Sequence, residues 1–250
     1  MNYARSLILQ ARMGSTRLPG KILKPVLGKP LLSYQIERLR RAQLVDEIIV
    51  ATTTSPLDDP LIELCKKEGI KFYRGSEEDV LDRYYQAAKA FHADVIIRVT
   101  GDCPLIDPQI LDRVIQFYTD TTPSYDYVSN SLKLTFPRGL DVEVFSFKNL
   151  ERASIEAKWS QEREHVSVYF YHHPELFSLG NVECETDLSR HRWTVDEEAD
   201  LKLITLLLEE LYPHHPTFGM SDVLKVLRQH PDWELINAHV KQKHVIRDNP

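Results

Sequence analysis

The sequence predicts a single α/β domain over residues 1–250, three α/β/α layers built on a mainly parallel, mixed sheet. Three observations predict it. Short continuous apolar runs at 7–9, 48–51 and 95–97 put apolar side chains on both faces of a strand, as a sheet covered from both sides requires. They alternate with stretches of helical periodicity, the pattern of βαβ units. Turn formers and charges gather just beyond the strands, where open α/β sheets bind ligands.

Residues 6–11 form the first strand, and the chain leaves it through a loop rich in Gly, Ser, Thr and Pro. Residues 31–42 make an amphipathic helix with Leu31, Leu32, Tyr34, Ile36 and Leu39 inward and Arg38, Arg40 and Arg41 at its end, where cations suit the helix dipole. A second strand spans 46–52, then helix 58–68, strand 71–73 and helix 79–91. The next strand, 94–100, runs into Gly101-Asp102-Cys103-Pro104, and Asp107 before Pro108 reads as the cap of the following helix. From 119 the alternation breaks, and Thr121-Thr122-Pro123-Ser124 opens an inserted region of about residues 121–182 with strands at 125–130 and 142–147. Residues 160–166 start a helix leading to Tyr169, Phe170 and Tyr171, read as core or subunit contact. Residues 191–201 read as a short strand and an acidic helix start, followed by an apolar helix through Leu211 and packing helices at 221–244.

A chain of 250 residues that is 42% hydrophobic can bury one large core. Its formal charge of −6, from 31 basic and 37 acidic residues, argues against a nucleic-acid partner. Cys65, Cys103 and Cys184 lack metal-site spacing and read as reduced thiols, and His230, His239 and His244 show no ligand spacing either. No apolar run suits a signal peptide or a bilayer span, so no membrane partner is expected and the cytoplasm is the expected compartment.

The loop is the densest chemistry in the chain. Gly14, Ser15, Thr16, Pro19 and Gly20 allow a tight turn with exposed N–H groups, and Arg12, Arg17 and Lys21 add positive charge, which suits a phosphate chain. Two better-known phosphate loops do not fit. Five residues separate Gly14 from Gly20 where the Walker loop has four, Ile22 stands where that loop needs a hydroxyl, and the three-glycine dinucleotide fingerprint is missing. Taken alone, the loop is equally compatible with a basic surface turn.

Five ordered motifs resemble the sugar nucleotidyltransferases, and among them the cytidylyltransferases that activate 3-deoxy-manno-octulosonate and acylneuraminate. The first is Gln10-Ala11-Arg12-Met13-Gly14-Ser15-Thr16-Arg17-Leu18-Pro19-Gly20-Lys21 with Leu27-Gly28-Lys29-Pro30-Leu31, which is similar in full to the SpsF-like spore-coat polysaccharide proteins. The others are Gly101-Asp102-Cys103-Pro104-Leu105-Ile106, Phe136 to Glu143, Arg163-Glu164-His165-Val166 and Val195-Asp196-Glu197-Glu198-Ala199-Asp200-Leu201, where Glu197 and Ala199 depart from the family's usual residues.

The resemblance implies a nucleotide-diphospho-sugar transferase fold (GT-A-like) and an enzyme that transfers a nucleotidyl group from CTP to a sugar or sugar-phosphate acceptor. It assigns Arg12 and Lys21 to the phosphates, with Leu9, Gln10, Ala11, Met13, Gly14, Ser15, Thr52 and Thr100 around the nucleotide and the main chain at Gln10 and Ala11 on the base. Mg²⁺ is implied on Asp102 and Asp196, leaving Asp200 to support a helix. Arg138, Asp141, Glu143, Glu164 and His165 are implied near the acceptor. Without the resemblance, Asp141 and Glu143 would read as a solvated acidic strand face and Asp196 as a helix cap. A homodimer formed through the inserted region is implied as well. Lys21, as a loop residue, is expected to add little to the core. Two rival readings are a glycosyltransferase using a sugar nucleotide, disfavoured because Cys103 and Pro104 interrupt any Asp-x-Asp motif, and a nucleotide-binding regulatory module, disfavoured because Arg12, Lys21, Asp102 and Asp196 occur together.

Overall fold

The computed structural model describes residues 3–242. In chain order the elements are β1 (Arg5–Gln10), β2 (Pro25–Val26), β3 (Lys29–Pro30), α1 (Leu31–Leu39), β4 (Glu47–Thr53), α2 (Asp59–Glu68), β5 (Lys71–Gly75), α3 (Val80–Ala90) and β6 (Val95–Thr100). Then follow α4 (Pro108–Asp120), β7 (Tyr127–Ser129), β8 (Glu143–Ser146), α5 (Phe147–Glu156), α6 (Ser160–His165), α7 (Val168–His172), β9 (Leu179–Asn181), α8 (Glu198–Leu211) and α9 (Met220–Gln229). Seven strands form one sheet in the order β5-β4-β1-β6-β8-β7-β9, while β2 and β3 make a separate hairpin. The first four are parallel neighbours; β8 runs antiparallel to both β6 and β7, and β9 is parallel to β7.

The continuous apolar runs are explained by burial on both faces. Leu7 and Leu9 join a core with α1, α4, α8 and α9, whereas Ile8 between them joins a second core with α3, α5 and α7. Asp107 caps α4 as its sequence predicts, accepting from Gln109 N at 2.9 Å. Residues 121–182 contribute β7, β8 and β9 to the main sheet and α5 and α7 to the second core, where Tyr169 and Phe170 are buried.

One expected element does not form. Residues 191–195 make only an isolated bridge, Arg138 to Arg192, in place of a strand. Gly139 beside it has φ +100°, and a Cβ there would lie 2.7 Å from Thr194 N, so the backbone turns away before the pairing can extend. Trp193, 1% exposed, anchors the segment through the core instead. Part of the expected 221–244 helical stretch, including His244, lies outside the described residues.

Candidate active site

The chain steps from β1 outward through β4 to β5, then returns to place β6 on the other side of β1. Connections therefore diverge at the C-terminal ends of β1 and β6, where such sheets open a crevice. A cleft of about 290 Å³ lies there, walled by the loop after β1, by Thr100, Gly101 and Asp102 after β6, and by Glu164 and His165 of α6.

The loop is held from both ends. Leu18 and Ile22 are buried in the core. Gly20 adopts φ +67°, and its N–H donates to Met13 O at 3.1 Å, closing the turn. Asp58, 1% exposed, accepts from Met13 N at 2.7 Å while its other oxygen accepts from Thr52 Oγ1 at 2.8 Å and Thr53 N at 3.1 Å. Burial alone would raise the Asp58 carboxyl, but these donors hold it below its ordinary value. Asp58 carries no motif, so its role as clamp between loop and β4 was invisible beforehand.

Lys21 is buried, at 9% exposure, contrary to the expectation for a loop lysine. Its Nζ donates to Asp102 Oδ2 and to Asp196 Oδ1, each at 2.9 Å. Burial pulls the ammonium down, yet the two carboxylates outweigh it and its pKa rises. Asp196 is likewise pushed up by burial but held low by Lys21, Arg17 and Arg192; Arg17 Nη2 lies 2.9 Å and Arg192 Nη2 2.6 Å from Asp196 Oδ2. Asp200, fully buried, accepts from Asp196 N at 2.9 Å and Glu197 N at 3.0 Å and receives Arg192 Nε at 3.0 Å, so it supports the start of α8. Arg17 is a site residue that sequence reasoning recorded only as loop charge.

The cleft is oxygen-rich at this point: two carboxylates from separate elements, with Thr100 Oγ1 donating to Asp102 Oδ1 at 2.6 Å. Among the described residues no group of three or more His, Cys, Asp or Glu side chains is placed to hold a metal. Mg²⁺ needs only one or two carboxylates when substrate phosphates and water complete its shell, so this donor pair fits it.

The other wall is set by α6. Arg163 Nε bonds both oxygens of Asp79, at 3.1 and 3.0 Å, and Asp79 also caps α3, so α6 is tied to the start of α3. Val166 then takes φ +52°, ψ −65°, with Ser167 N donating to His165 O at 2.5 Å. Such a turn is strained at a β-branched residue, on the order of 1–3 kcal/mol, and it ends α6 with Glu164 and His165 at the cleft. Burial lowers the His165 pKa, with Arg98 adding to that effect and Glu164 opposing it.

Of the remaining sequence candidates, Gln10, Ala11, Arg12 and Ser15 line the cleft, as do Thr16, Arg17, Ile22 and Val80, which were not singled out for the site. Leu9 and Thr52 are fully buried. Asp141 precedes β8, accepts from Gly139 N at 2.9 Å and is raised by burial, partly opposed by that hydrogen bond and by Arg138. Glu143 pairs with Arg98 beneath the cleft.

A doubly covered, mostly parallel sheet whose cationic loop faces two carboxylates, Asp102 after β6 and Asp196 ahead of α8, is the architecture of a nucleotidyltransferase. The sequence profile of the family described as Cytidylyltransferase matches residues 6–216, and the chain belongs to that family. A solved cytidylyltransferase from Leptospira borgpetersenii is 33% identical with a TM-score of 0.89, covering 97% of this chain and 100% of that one. The spore coat polysaccharide biosynthesis protein SpsF of Bacillus subtilis is 36% identical over 90% of this chain and 94% of its own length. A 3-deoxy-manno-octulosonate cytidylyltransferase of Geobacter metallireducens is 38% identical over 70% of this chain and 77% of its own. Among the described residues no helix is long and apolar enough to cross a membrane.

Proposed function

We propose that the protein transfers a cytidylyl group from CTP to an oxygen of a sugar or sugar-phosphate acceptor, releasing pyrophosphate and giving a nucleotide-activated sugar for surface polysaccharide or glycan assembly. The observation that carries this reading is the convergence of Lys21, Asp102 and Asp196 within hydrogen-bond reach at the mouth of the loop. The names of the relatives support the acceptor class.

The acceptor oxygen attacks the α-phosphorus in line, the bond to the bridging oxygen breaks, and the electron pair leaves on pyrophosphate. Asp102 and Asp196 would hold Mg²⁺, whose chemistry here is to align phosphate oxygens and neutralise their charge. Lys21 shifts its ammonium from these carboxylates to the β and γ phosphates, and Arg12, its side chain 43% exposed and paired with the half-exposed Glu77, supplies a forked donor to the same group. Both contacts strengthen as pyrophosphate separates. Burial lowers the His165 pKa and so favours the neutral imidazole; in this reading His165 faces the acceptor, either as the base for an attacking hydroxyl or as a hydrogen-bond donor that positions it. Glu164 completes the acceptor side at the cleft in this reading, with Arg138 and Asp141 carried over from the family resemblance; Glu143, 7% exposed and taken up by Arg98 and Tyr127, supports Arg98 instead of meeting the acceptor. Residues 121–182 are proposed to bind the acceptor and to pair two subunits, which sedimentation velocity would check.

A screen of the four nucleoside triphosphates against acidic sugars and sugar phosphates, read as pyrophosphate release, tests the reading. It predicts turnover with CTP and one acceptor class. Release of nucleoside diphosphate from a sugar nucleotide, with no pyrophosphate in any pair, would replace it with glycosyl transfer.

A further inference from the structure

The register of β1 and β6 sets Gln10 beside Thr100 at the cleft and, two residues back, Ile8 beside Arg98. The antiparallel pairing of β6 with β8 sets Arg98 opposite Glu143. The guanidinium and carboxylate meet beneath the cleft, and Tyr127, fully buried, donates its hydroxyl to Glu143 Oε1 at 2.5 Å. The other terminal nitrogen of Arg98, Nη2, donates to Gln10 Oε1 at 3.2 Å.

This chain fixes the Gln10 amide. A guanidinium carries donors only, so the atom facing Arg98 must be the amide oxygen, and Nε2 is left with both of its protons. Gln10 lines the cleft, and among the described residues nothing accepts from Nε2. The neighbouring main-chain groups are engaged elsewhere: Gln10 O accepts from Gly101 N at 2.7 Å, and Ala11 N donates to Ala51 O at 3.2 Å. Side-chain Nε2 is therefore an unpaired donor, among the described residues, that this strand end offers to a ligand.

We infer that Gln10 is a substrate-contacting hydrogen-bond donor and that Arg98, locked by Glu143 and Tyr127, is the positioning residue that orients it. The inference rests on the cytidylyltransferase reading of the cleft. The matching group on the ligand is a lone pair on oxygen or a ring nitrogen, carried either by the nucleotide or by the acceptor. A glutamine free to rotate would present its oxygen half the time; the buried pair removes that alternative and so favours one polarity of ligand atom.

The test uses Gln10→Met, Arg98→Lys and the double variant. Arg98→Lys keeps the charge against Glu143 but loses the second nitrogen that reaches Gln10. Calorimetric binding of Mg·CTP is measured without acceptor, and kcat/KM is measured with the acceptor selected by the pyrophosphate screen. Loss of one such hydrogen bond corresponds to roughly a 3- to 10-fold effect. That loss in CTP affinity assigns the contact to the nucleotide; unchanged CTP affinity with the same loss in acceptor kcat/KM assigns it to the acceptor. If Gln10→Met moves neither quantity, the donor role is overturned. The double variant should lose no more than Gln10→Met alone, because Arg98 acts through Gln10; multiplied losses would overturn the positioning role and leave Arg98 as a purely structural group. Wild-type protein that fails to bind CTP would instead sink the cytidylyltransferase reading, a result seen before any variant is made.

Discussion

Lys21→Met is the most informative single change, because it separates the folding and catalytic roles of one ammonium. Methionine keeps most of the apolar stem and removes the charge that bridges Asp102 and Asp196 at 2.9 Å each. Removing one partner of a buried ion pair costs about 3–5 kcal/mol. The cost here should be smaller, because Asp196 keeps Arg17 and Arg192 and the Asp102 side chain is 24% exposed, so water can replace part of the loss. We expect roughly 1–3 kcal/mol, which for a chain of this size lowers Tm by roughly 2–12 °C at about 2–4 °C per kcal/mol. Turnover should fall on the order of 10²-fold or more, as when a preorganised transition-state donor is lost. Differential scanning calorimetry with and without MgCl₂, beside a pyrophosphate assay, reads both effects. Added Mg²⁺ should raise the Tm of Lys21→Met more than that of the wild type, since Asp102 then lacks the Lys21 ammonium and Asp196 has lost one of its three cationic partners. An unchanged Tm together with turnover within about threefold of wild type would show that the Lys21 bridge matters neither to the fold nor to the phosphates.

Asp102→Asn and Asp196→Asn should each weaken the dependence of rate on Mg²⁺, and the double variant should lose much less than the product of the single losses, as the proposed sharing of one ion by the two carboxylates requires; multiplicative losses in a magnesium titration would separate them. Asp196→Asn should also cost more stability than Asp102→Asn in urea unfolding, because Asp196 holds three cations and Asp102 one. The Asp58 carboxyl is held below its unfolded value, so its stabilisation is present above about pH 4 and is lost as pH falls through the depressed folded value. The stability of Asp58→Asn should accordingly fall less steeply than that of wild type between pH 4 and 2, and a parallel decline in both would deny Asp58 that role. The same variant should weaken CTP binding by freeing the Met13 end of the loop, and equal CTP affinity in calorimetry would show that the loop keeps its shape unaided.

Much of the framework was legible in local patterns. The cores of β1, β4 and β6 follow from apolar runs that only a doubly covered sheet can bury, and the cap on α4 follows from Asp107 before Pro108. The length and order of the Gln10 to Lys21 motif marked its likeness to a known family, and that likeness supplied the expectation of a phosphate-binding loop. What the tertiary structure decided is how distant charges pair. Lys21 meets Asp102 and Asp196 across 81 and 175 positions, and Asp58 reaches Met13 across 45. No periodicity encodes such contacts, which depend on where strand ends converge. The same holds for the 191–195 segment, whose composition suits a strand but whose bridge partner, the segment at Arg138, turns at Gly139. Gln10 shows the division most clearly. Its position at a strand end is visible in the sequence, but the direction of its amide depends on Arg98, and that arginine is held only because β8 runs antiparallel to β6 and brings Glu143 opposite it. Residue type and local period decide which faces are buried; strand order and register decide which buried charges find one another, because the low dielectric of the interior leaves an unpaired charge no other way to be stable.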